Sequence, residues 1–221
     1  MGEVKLFGAF ATPFPFRVQW ALDHKGVQYE YIEEDLMNRS ASFMSYSPPY
    51  TKVPLLIHNG KPISDSLCIL EYIDETWSEN PLLPKDPYER AMARFFAKFA
   101  DQKCAVSVRA AFHSEGEKRD EGIEASLEAL KILEGELQGK KFFGGETIGY
   151  LDLVVGWIPL CLPIIEEFGE FKLLDPQSFP SLCAWCENFL EVPLIKENLP
   201  PHDKMSAVFQ YARRTFLSSA G

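Results

Sequence analysis

The sequence has no long apolar run and no excess of positive charge. Its 221 residues contain no stretch of about 20 apolar residues, the length that a membrane-spanning helix needs. The first ten residues, MGEVKLFGAF, have no basic segment followed by an apolar core, so we expect no secretory signal. The formal net charge is -10, which disfavours nucleic acid and anionic membranes as partners. We therefore expect no nucleic-acid or membrane partner.

The cysteines of this sequence do not form a disulfide framework. The five cysteines are odd in number and scattered, which favours free thiols in a reducing compartment, and we predict a cytoplasmic protein. Cys183 and Cys186 have the spacing of a redox pair. They lie in a helical stretch with no second Cys or His pair nearby, so we interpret them as core thiols and predict no metal site.

Residues 1–78 alternate between strand and helix patterns. Val-Lys-Leu-Phe at 4–7 predicts a strand, and the following apolar face, which includes Phe14 and Val18, predicts a helix. A half-buried strand and a loop follow, and Asn59-Gly60 then predicts a two-residue hairpin turn. Pro62 favours an edge strand, and the next helix is predicted to be capped by Ser64 or Asp65. This order predicts an α/β domain.

The rest of the chain is predominantly helical in pattern. A proline-rich segment at 79–88 predicts a linker, and Asp86 with Pro87 predicts the start of the next helix. Later, Gly149 and Asp152 have the spacing of a capping box at the start of a buried helix. Pro159 and Pro163 predict that this helix is kinked or interrupted. Residues 89–221 are therefore expected to form an all-helical domain.

Two places carry residues suited to an anionic or peptide-like ligand. Thr12 precedes Pro13 at a strand-to-helix turn, and we predict that Thr12 is the helix N-cap and that its hydroxyl also faces an anionic ligand. A cis bond at Val53-Pro54 would leave the main chain of Val53 exposed to pair with an extended peptide. Asp65 and Ser66 begin a helix and suit an amine and a carboxylate, the two groups of an α-amino acid. The alternative is plain capping beside an edge strand.

The motifs ATPF..RV, KVP, NGKPI.DS and ILEYIDETW, in this order, resemble those of the glutathione transferases. The stretch NPLLPKDPYERAMARFFAKFAD resembles the plant tau class of that family. The resemblance implies an α/β plus all-α fold, with a thioredoxin-like N-terminal domain at 1–78 followed by an all-helical C-terminal domain at 89–221. It also implies a homodimer, glutathione as the co-substrate, no metal, and a role in detoxification and stress response.

The resemblance also implies the site residues. Thr12 stands where tau-class enzymes have a catalytic serine whose hydroxyl holds the glutathione thiolate. Arg39 and Asp65 replace the family's lysine and glutamate. The implied glutathione-binding residues are Arg39, Lys52, Val53, Pro54, Asp65 and Ser66.

A hydrophobic pocket for the second substrate is expected between the domains. Its predicted residues are Phe10, Phe14, Phe16, Phe112, His113, Cys161, Phe209 and Phe216. Cys161 stands where tau-class enzymes often have tryptophan, which predicts a roomier pocket.

The function implied is conjugation of glutathione to hydrophobic electrophiles, with reduction of organic hydroperoxides by the same thiolate. Thr12 cannot form the mixed disulfide that a cysteine at this turn would form, which excludes thiol-reductase chemistry there. The alternative is a ligandin-like carrier of hydrophobic small molecules without turnover, suggested by the departures at Thr12 and Asp65.

Overall fold

The computed structural model describes residues 2–46, 49–50, 52–137 and 139–219. The chain divides into two units, Met1–Leu82 and Leu83–Gly221, and their boundary falls inside the segment 79–88. The first unit contains, in chain order, β1 (Val4–Gly8), α1 (Phe14–His24), β2 (Glu30–Glu33), α2 (Ala41–Met44), β3 (Leu55–His58), β4 (Lys61–Ser64) and α3 (Ser66–Thr76). The second contains α4 (Pro87–Phe99), a π-helical turn (Ala100–Cys104), α5 (Ala105–Phe112), α6 (Gly116–Leu137), α7 (Tyr150–Val155), α8 (Trp157–Gly169), α9 (Pro180–Leu190), α10 (Pro193–Glu197) and α11 (His202–Ser219).

The first unit is built on a four-stranded mixed sheet in the order β2-β1-β3-β4. β1 runs parallel to β2 and antiparallel to β3, and β3 and β4 form a hairpin. Asn59 and Gly60, at φ 51° and 75°, make the hairpin turn in the left-handed conformation that asparagine and glycine tolerate best. Pro62 lies on β4, an edge strand of this sheet, as its missing N–H requires.

The core of the first unit forms where α1, α2 and α3 cover the sheet. Phe7 of β1 contacts Phe43 of α2 edge to face, with ring centroids 5.8 Å apart, and both are buried. The ends of α1 and α3 are joined by Lys25 and Asp74, whose Nζ and Oδ1 lie 2.6 Å apart. The Lys25 ammonium also donates to the Glu79 carbonyl, and the Asp74 carboxylate accepts from the Leu82 amide. This buried pair therefore orders the chain as it leaves α3.

The second unit is all helical, as the pattern predicts. The buried segment that begins at Tyr150 is interrupted at Gly156, between α7 and α8, and Pro163 lies inside α8. Pro159 explains the position of the break. Its ring removes the N–H that would bond to the carbonyl four residues earlier, which belongs to Val155, the last residue of α7.

Asp152 fixes the start of α7. Its carboxylate accepts from the Gly149 amide at 2.8 Å, which confirms this part of the predicted capping box. It also accepts from the amides of Phe143 and Gly144 and from the Trp185 indole. A carboxylate with no solvent exposure thus has four donors, as a buried charge requires. In the part of the chain that is described, no helix is long and apolar enough to cross a membrane.

Candidate active site

The predicted catalytic and glutathione-binding residues all lie in segments that begin or end at one edge of the sheet. β1, β2 and β4 run in the same direction and β3 runs against them, so the carboxyl ends of the first three lie beside the amino end of β3. The register confirms this, because Phe7 pairs with Leu55, and Leu55 pairs with Ser64. The residues concerned follow β1 (Thr12), follow β2 (Arg39), precede β3 (Lys52, Val53, Pro54) or follow β4 (Asp65, Ser66).

Thr12 lies in the β1–α1 turn but does not cap α1. The cap position is held by Pro13, the helix has no side-chain cap, and the Phe16 amide bonds to the Pro13 carbonyl. The N-cap prediction for Thr12 is therefore wrong. Thr12 instead closes a turn through its own amide, which donates to the Ala9 carbonyl at 3.2 Å. Its half-buried side chain is not used to start the helix.

The segment before β3 offers main-chain groups outside the sheet ladder. The Val53–Pro54 peptide bond is cis, as predicted. The paired residues of β3 begin at Leu55, so Val53 lies outside the strand pairing. Lys52 is exposed, and Pro54 is buried beside the strand.

Asp65 and Ser66 begin α3 and have different partners. Oδ1 of Asp65 accepts from the amides of Leu67 and Cys68, so this residue is the helix N-cap, and its φ of 73° is left-handed. Ser66 is buried, and its Oγ accepts from Nη1 of Arg17 at 3.2 Å. The capping alternative is thus correct for one oxygen of Asp65.

Arg17 is not among the residues predicted from the sequence. It is only 1% exposed on α1, and its guanidinium lies 5.0 Å from the centre of the Phe14 ring. Residue 17 follows Phe14 by three positions and precedes Ala21 by four, so it falls on the predicted apolar face of the helix. A charged residue in that face was the available signal, since buried arginines require partners.

Arg39 belongs to a loop ordered by the buried carboxylate of Glu34. The Glu34 carboxylate accepts from the Ser40 hydroxyl at 2.5 Å and from the Ser40 amide at 3.0 Å. The Arg39 guanidinium lies 4.7 Å from the centre of the Phe43 ring. Within the described residues, Nη1 of Arg39 has no hydrogen-bond partner. This loop, which follows the same edge of the sheet as the Thr12 turn, therefore holds a cation with an unused donor among the described residues.

Three predicted pocket residues lie in the first unit. The Phe10 amide donates to the Glu33 carboxylate at 2.7 Å, and the Phe10 ring contacts that of Phe16. Phe16 stacks on Trp20 and is 7% exposed, so much of its ring belongs to the core. Phe14 is half-buried over Arg17.

Four predicted pocket residues form one cluster in the second unit. Phe112 is the last residue of α5, and His113 follows it. The Phe112 ring contacts that of Phe209 on α11. The His113 ring contacts that of Phe216 on α11, with ring centroids 4.0 Å apart. Arg213, which was not predicted from the sequence, donates from Nη1 to the Phe112 carbonyl. It falls on the same face of α11 as the two phenylalanines, because it follows the first by four residues and precedes the second by three. We call Phe112, His113, Phe209, Arg213 and Phe216 the α5–α11 cluster.

Cys161, the remaining predicted pocket residue, is buried in the second unit and is not part of the α5–α11 cluster. It is 1% exposed on α8, and burial raises the pKa of its thiol to about 12. The thiol therefore stays protonated at neutral pH. Across the residues described, no three His, Cys, Asp or Glu side chains gather into a metal-binding group.

Comparison with known proteins decides the family. Residues 2–75 match the N-terminal domain of glutathione S-transferases, and residues 89–193 match the C-terminal domain. Glutathione transferase GST 23 of Zea mays is 44% identical over 217 residues, which are 98% of each chain. The chain belongs to the glutathione S-transferase family. This is an enzyme family, and the predicted fold of a thioredoxin-like domain followed by a helical domain is confirmed.

Solved glutathione S-transferases support the predicted class. A tau-class enzyme from mango (Mangifera indica) is 37% identical, covers 96% of this chain and 98% of its own, and gives a TM-score of 0.89. A rice enzyme crystallised with glutathione is 29% identical, covers 97% of each chain and also gives a TM-score of 0.89. The predicted resemblance to the tau class is confirmed.

Proposed function

We propose that this glutathione S-transferase joins the sulfur of glutathione to hydrophobic electrophiles. The thiolate attacks an electrophilic carbon and forms a C–S bond. When that carbon carries a chloride, the C–Cl bond breaks, chloride leaves with the electron pair, and the thiol proton passes to solvent. The observation that supports the proposal is that the segments of Thr12, Val53 and Asp65 adjoin strand ends at the same edge of the sheet.

Thr12 is the proposed catalytic residue. A free thiol has a pKa near 8.5, so only a few per cent is thiolate at pH 7. A hydroxyl that donates to sulfur stabilises the charged form and lowers the pKa of the thiol. Because the cap position of α1 belongs to Pro13, the Thr12 hydroxyl is not engaged in capping the helix.

The remaining residues match the charged ends of glutathione. Asp65 uses Oδ1 as the cap of α3, and we assign Oδ2 to the amine of the γ-glutamyl end. The start of α3 at Ser66 suits the carboxylate beside that amine. Arg39 and Lys52 suit the second carboxylate of glutathione, at the glycyl end. Val53 is assigned to the main chain of the cysteinyl residue between them.

The two domains take separate substrates in this proposal. The domain at 1–78 binds glutathione, and the helical domain at 89–221 binds the electrophile. The α5–α11 cluster supports the second assignment, because Phe209 and Arg213 are half-buried and Phe216 is 53% exposed. An exposed aromatic surface of this kind suits an apolar ligand.

A conjugation assay with chlorodinitrobenzene tests the proposal. We expect a rate above the uncatalysed background, retention of the protein on glutathione-agarose, and no effect of a chelator on the rate. Tight binding of a hydrophobic dye without any rate would instead support the ligandin-like carrier. Failure both to bind glutathione and to conjugate it would exclude the proposed function.

We also propose a homodimer. Tyr88 and Phe95 on α4 and Val106 on α5 are 73%, 58% and 46% exposed, and large exposed apolar side chains favour a protein partner. Light scattering on the purified protein in solution is expected to give twice the chain mass of 25.1 kDa. Phe95→Glu is expected to shift the mass toward one chain, and a wild-type monomer would refute the proposal.

A cytoplasmic location is proposed from the thiols. All five cysteines are free, which suits a reducing compartment. A fluorescent fusion expressed in plant cells tests this location, and signal confined to the secretory pathway would contradict it.

A further inference from the structure

The α5–α11 cluster combines aromatic rings with positive charge. The Arg213 guanidinium lies 5.4 Å from the centre of the Phe112 ring. Its Nη1 also donates a hydrogen bond to the Phe112 carbonyl. His113 stacks on Phe216, and its Nδ1 is buried without a hydrogen-bond partner among the described residues. Arg109, one turn earlier on α5, is exposed. Two arginines therefore lie at or beside four aromatic side chains.

Among the residues that the structure describes, Arg109 and Arg213 have no acidic partner. Burial, Arg109 and Arg213 all lower the pKa of His113, and no carboxylate opposes them. In the described part of the chain, neither arginine forms an ion pair. The whole chain carries a net charge of -10, with ten more acidic than basic residues. Two arginines that lie beside aromatic rings, and that lack an ion pair among the described residues, suit an anionic ligand even though the chain as a whole is acidic.

We propose that Arg213 selects hydrophobic electrophiles that carry a carboxylate, an inference that rests on the proposed function of the cluster as the electrophile site. The apolar part of such a molecule contacts Phe209 and Phe216, and its carboxylate contacts the guanidinium of Arg213. The conjugation itself is unchanged, since sulfur replaces the leaving group and the carboxylate takes no part in bond formation.

The geometry of arginine suits this role. A guanidinium has five N–H donors in a rigid fork, and only Nη1 is committed to the Phe112 carbonyl. The other edge of the fork can bind a carboxylate through two parallel hydrogen bonds. Because the Arg213 side chain is half-buried, its interaction with an anion is screened less by water than that of an exposed arginine.

Two related electrophiles separate this inference from the proposed function. Chlorodinitrobenzoate, with its carboxylate para to chlorine, and the corresponding chlorodinitrobenzamide have the same leaving group and differ in charge. We compare the benzoate-to-amide ratio of kcat/KM in the wild type, Arg213→Gln, Arg213→Lys and Arg214→Gln. Arg214 is the matched control, because it is exposed on the neighbouring face of α11 and its loss removes the same charge.

The ratio is expected to fall about ten-fold in Arg213→Gln, as the loss of one charge-assisted hydrogen bond predicts. Arg213→Lys should recover part of it, and Arg214→Gln should leave it unchanged. Raising the salt concentration from about 0.05 to about 0.5 M should lower the wild-type ratio. An unchanged ratio in Arg213→Gln overturns the inference and leaves Arg213 only as a cap of α5. An equal fall of the ratio in Arg214→Gln also overturns it.

Binding of both compounds is also measured by calorimetry without glutathione. If the wild type conjugated neither compound, the proposed function would fail. The calorimetric affinities would still decide whether Arg213 favours the benzoate. If Arg213→Gln does not fold, the benzoate-to-amide ratio is compared between the wild type and Arg213→Lys and across the salt series.

Discussion

Nη1 of Arg17 on α1 donates to Oγ of Ser66 on α3 at 3.2 Å, and both side chains are buried. The contact joins the helix that follows the Thr12 turn to the helix capped by Asp65. The two ends of the proposed glutathione site, one for the sulfur and one for the γ-glutamyl group, are thus fixed relative to each other by side chains inside one domain.

The Thr12 hydroxyl is predicted to control the ionisation of bound glutathione. One hydroxyl donating to the thiolate is worth roughly 1.5–3 kcal/mol, which lowers the pKa of the thiol by about one to two units. Thr12→Val keeps the branched shape and removes the donor. We expect it to raise the apparent pKa of the conjugation rate and to cut the rate at neutral pH, with a smaller loss at high pH.

Thr12→Ser is the matched control and should retain activity. Because Thr12 does not cap α1, Thr12→Val should change the free energy of unfolding by less than about 0.5 kcal/mol. A Thr12→Val enzyme with the wild-type rate and pH profile would show that another donor, such as an amide at the start of α1, holds the sulfur.

Asp65 is predicted to have two separable roles. Asp65→Asn keeps an oxygen that can cap α3 and tolerates the left-handed φ of 73°, but it removes the charge. We expect this variant to raise the KM for glutathione about ten-fold or more while kcat at saturating glutathione changes less. The reason is that the amine end is remote from the sulfur and is bound alike in the ground and transition states.

Asp65→Ala should add a loss of stability to the same rise in KM. Losing the cap costs about 1 kcal/mol, measured as a shift in the urea unfolding midpoint relative to Asp65→Asn. A wild-type KM in both variants would place Asp65 outside the site and leave it as a cap only.

Local patterns predicted several short-range features of this chain. Asp86 caps α4 through the amides of Tyr88 and Glu89, and Asn59-Gly60 makes its turn, because each depends on neighbours within a few residues. The prediction for Thr12 failed at the same scale, since Pro13 itself takes the cap position. The glutathione residues were named from the family resemblance, and the strand order then explains why they share one edge of the sheet.

Contacts between distant residues could not be predicted in this way. Arg17 and Ser66 are 49 positions apart, and Arg213 and Phe112 are 101 apart. No periodicity states which side chain meets which across such distances. A charged residue on an apolar helix face indicates only that some partner exists, and the packing of helices decides its identity.

The buried pair of Lys25 and Asp74 is predicted to stabilise the first unit strongly. Their side chains are 0% and 6% exposed, so Lys25→Met leaves the Asp74 carboxylate buried without its cation. Breaking such a pair costs about 3–5 kcal/mol, whereas a surface ion pair is worth about 0–1 kcal/mol. Lys140→Met, which removes the exposed partner of Glu136, is the control. Equal urea midpoints for the two variants would contradict the prediction.

His113 is predicted to make folding less favourable in acid. Burial and two arginines lower its pKa from 6.5, so the unfolded chain binds this proton more readily than the folded one. Stability therefore rises with pH through this window and is lost as pH falls below the unfolded value. Between about pH 7.5 and about pH 5.5, the wild type should lose more stability than His113→Gln.

Titration of the imidazole of His113 by NMR checks the lowered pKa directly. Arg213→Gln should raise the pKa of His113 because it removes one of the opposing cations, and Arg214→Gln should leave it in place. If both variants moved it equally, the overall charge of α11 rather than the contact with Arg213 would set the proton affinity of this histidine.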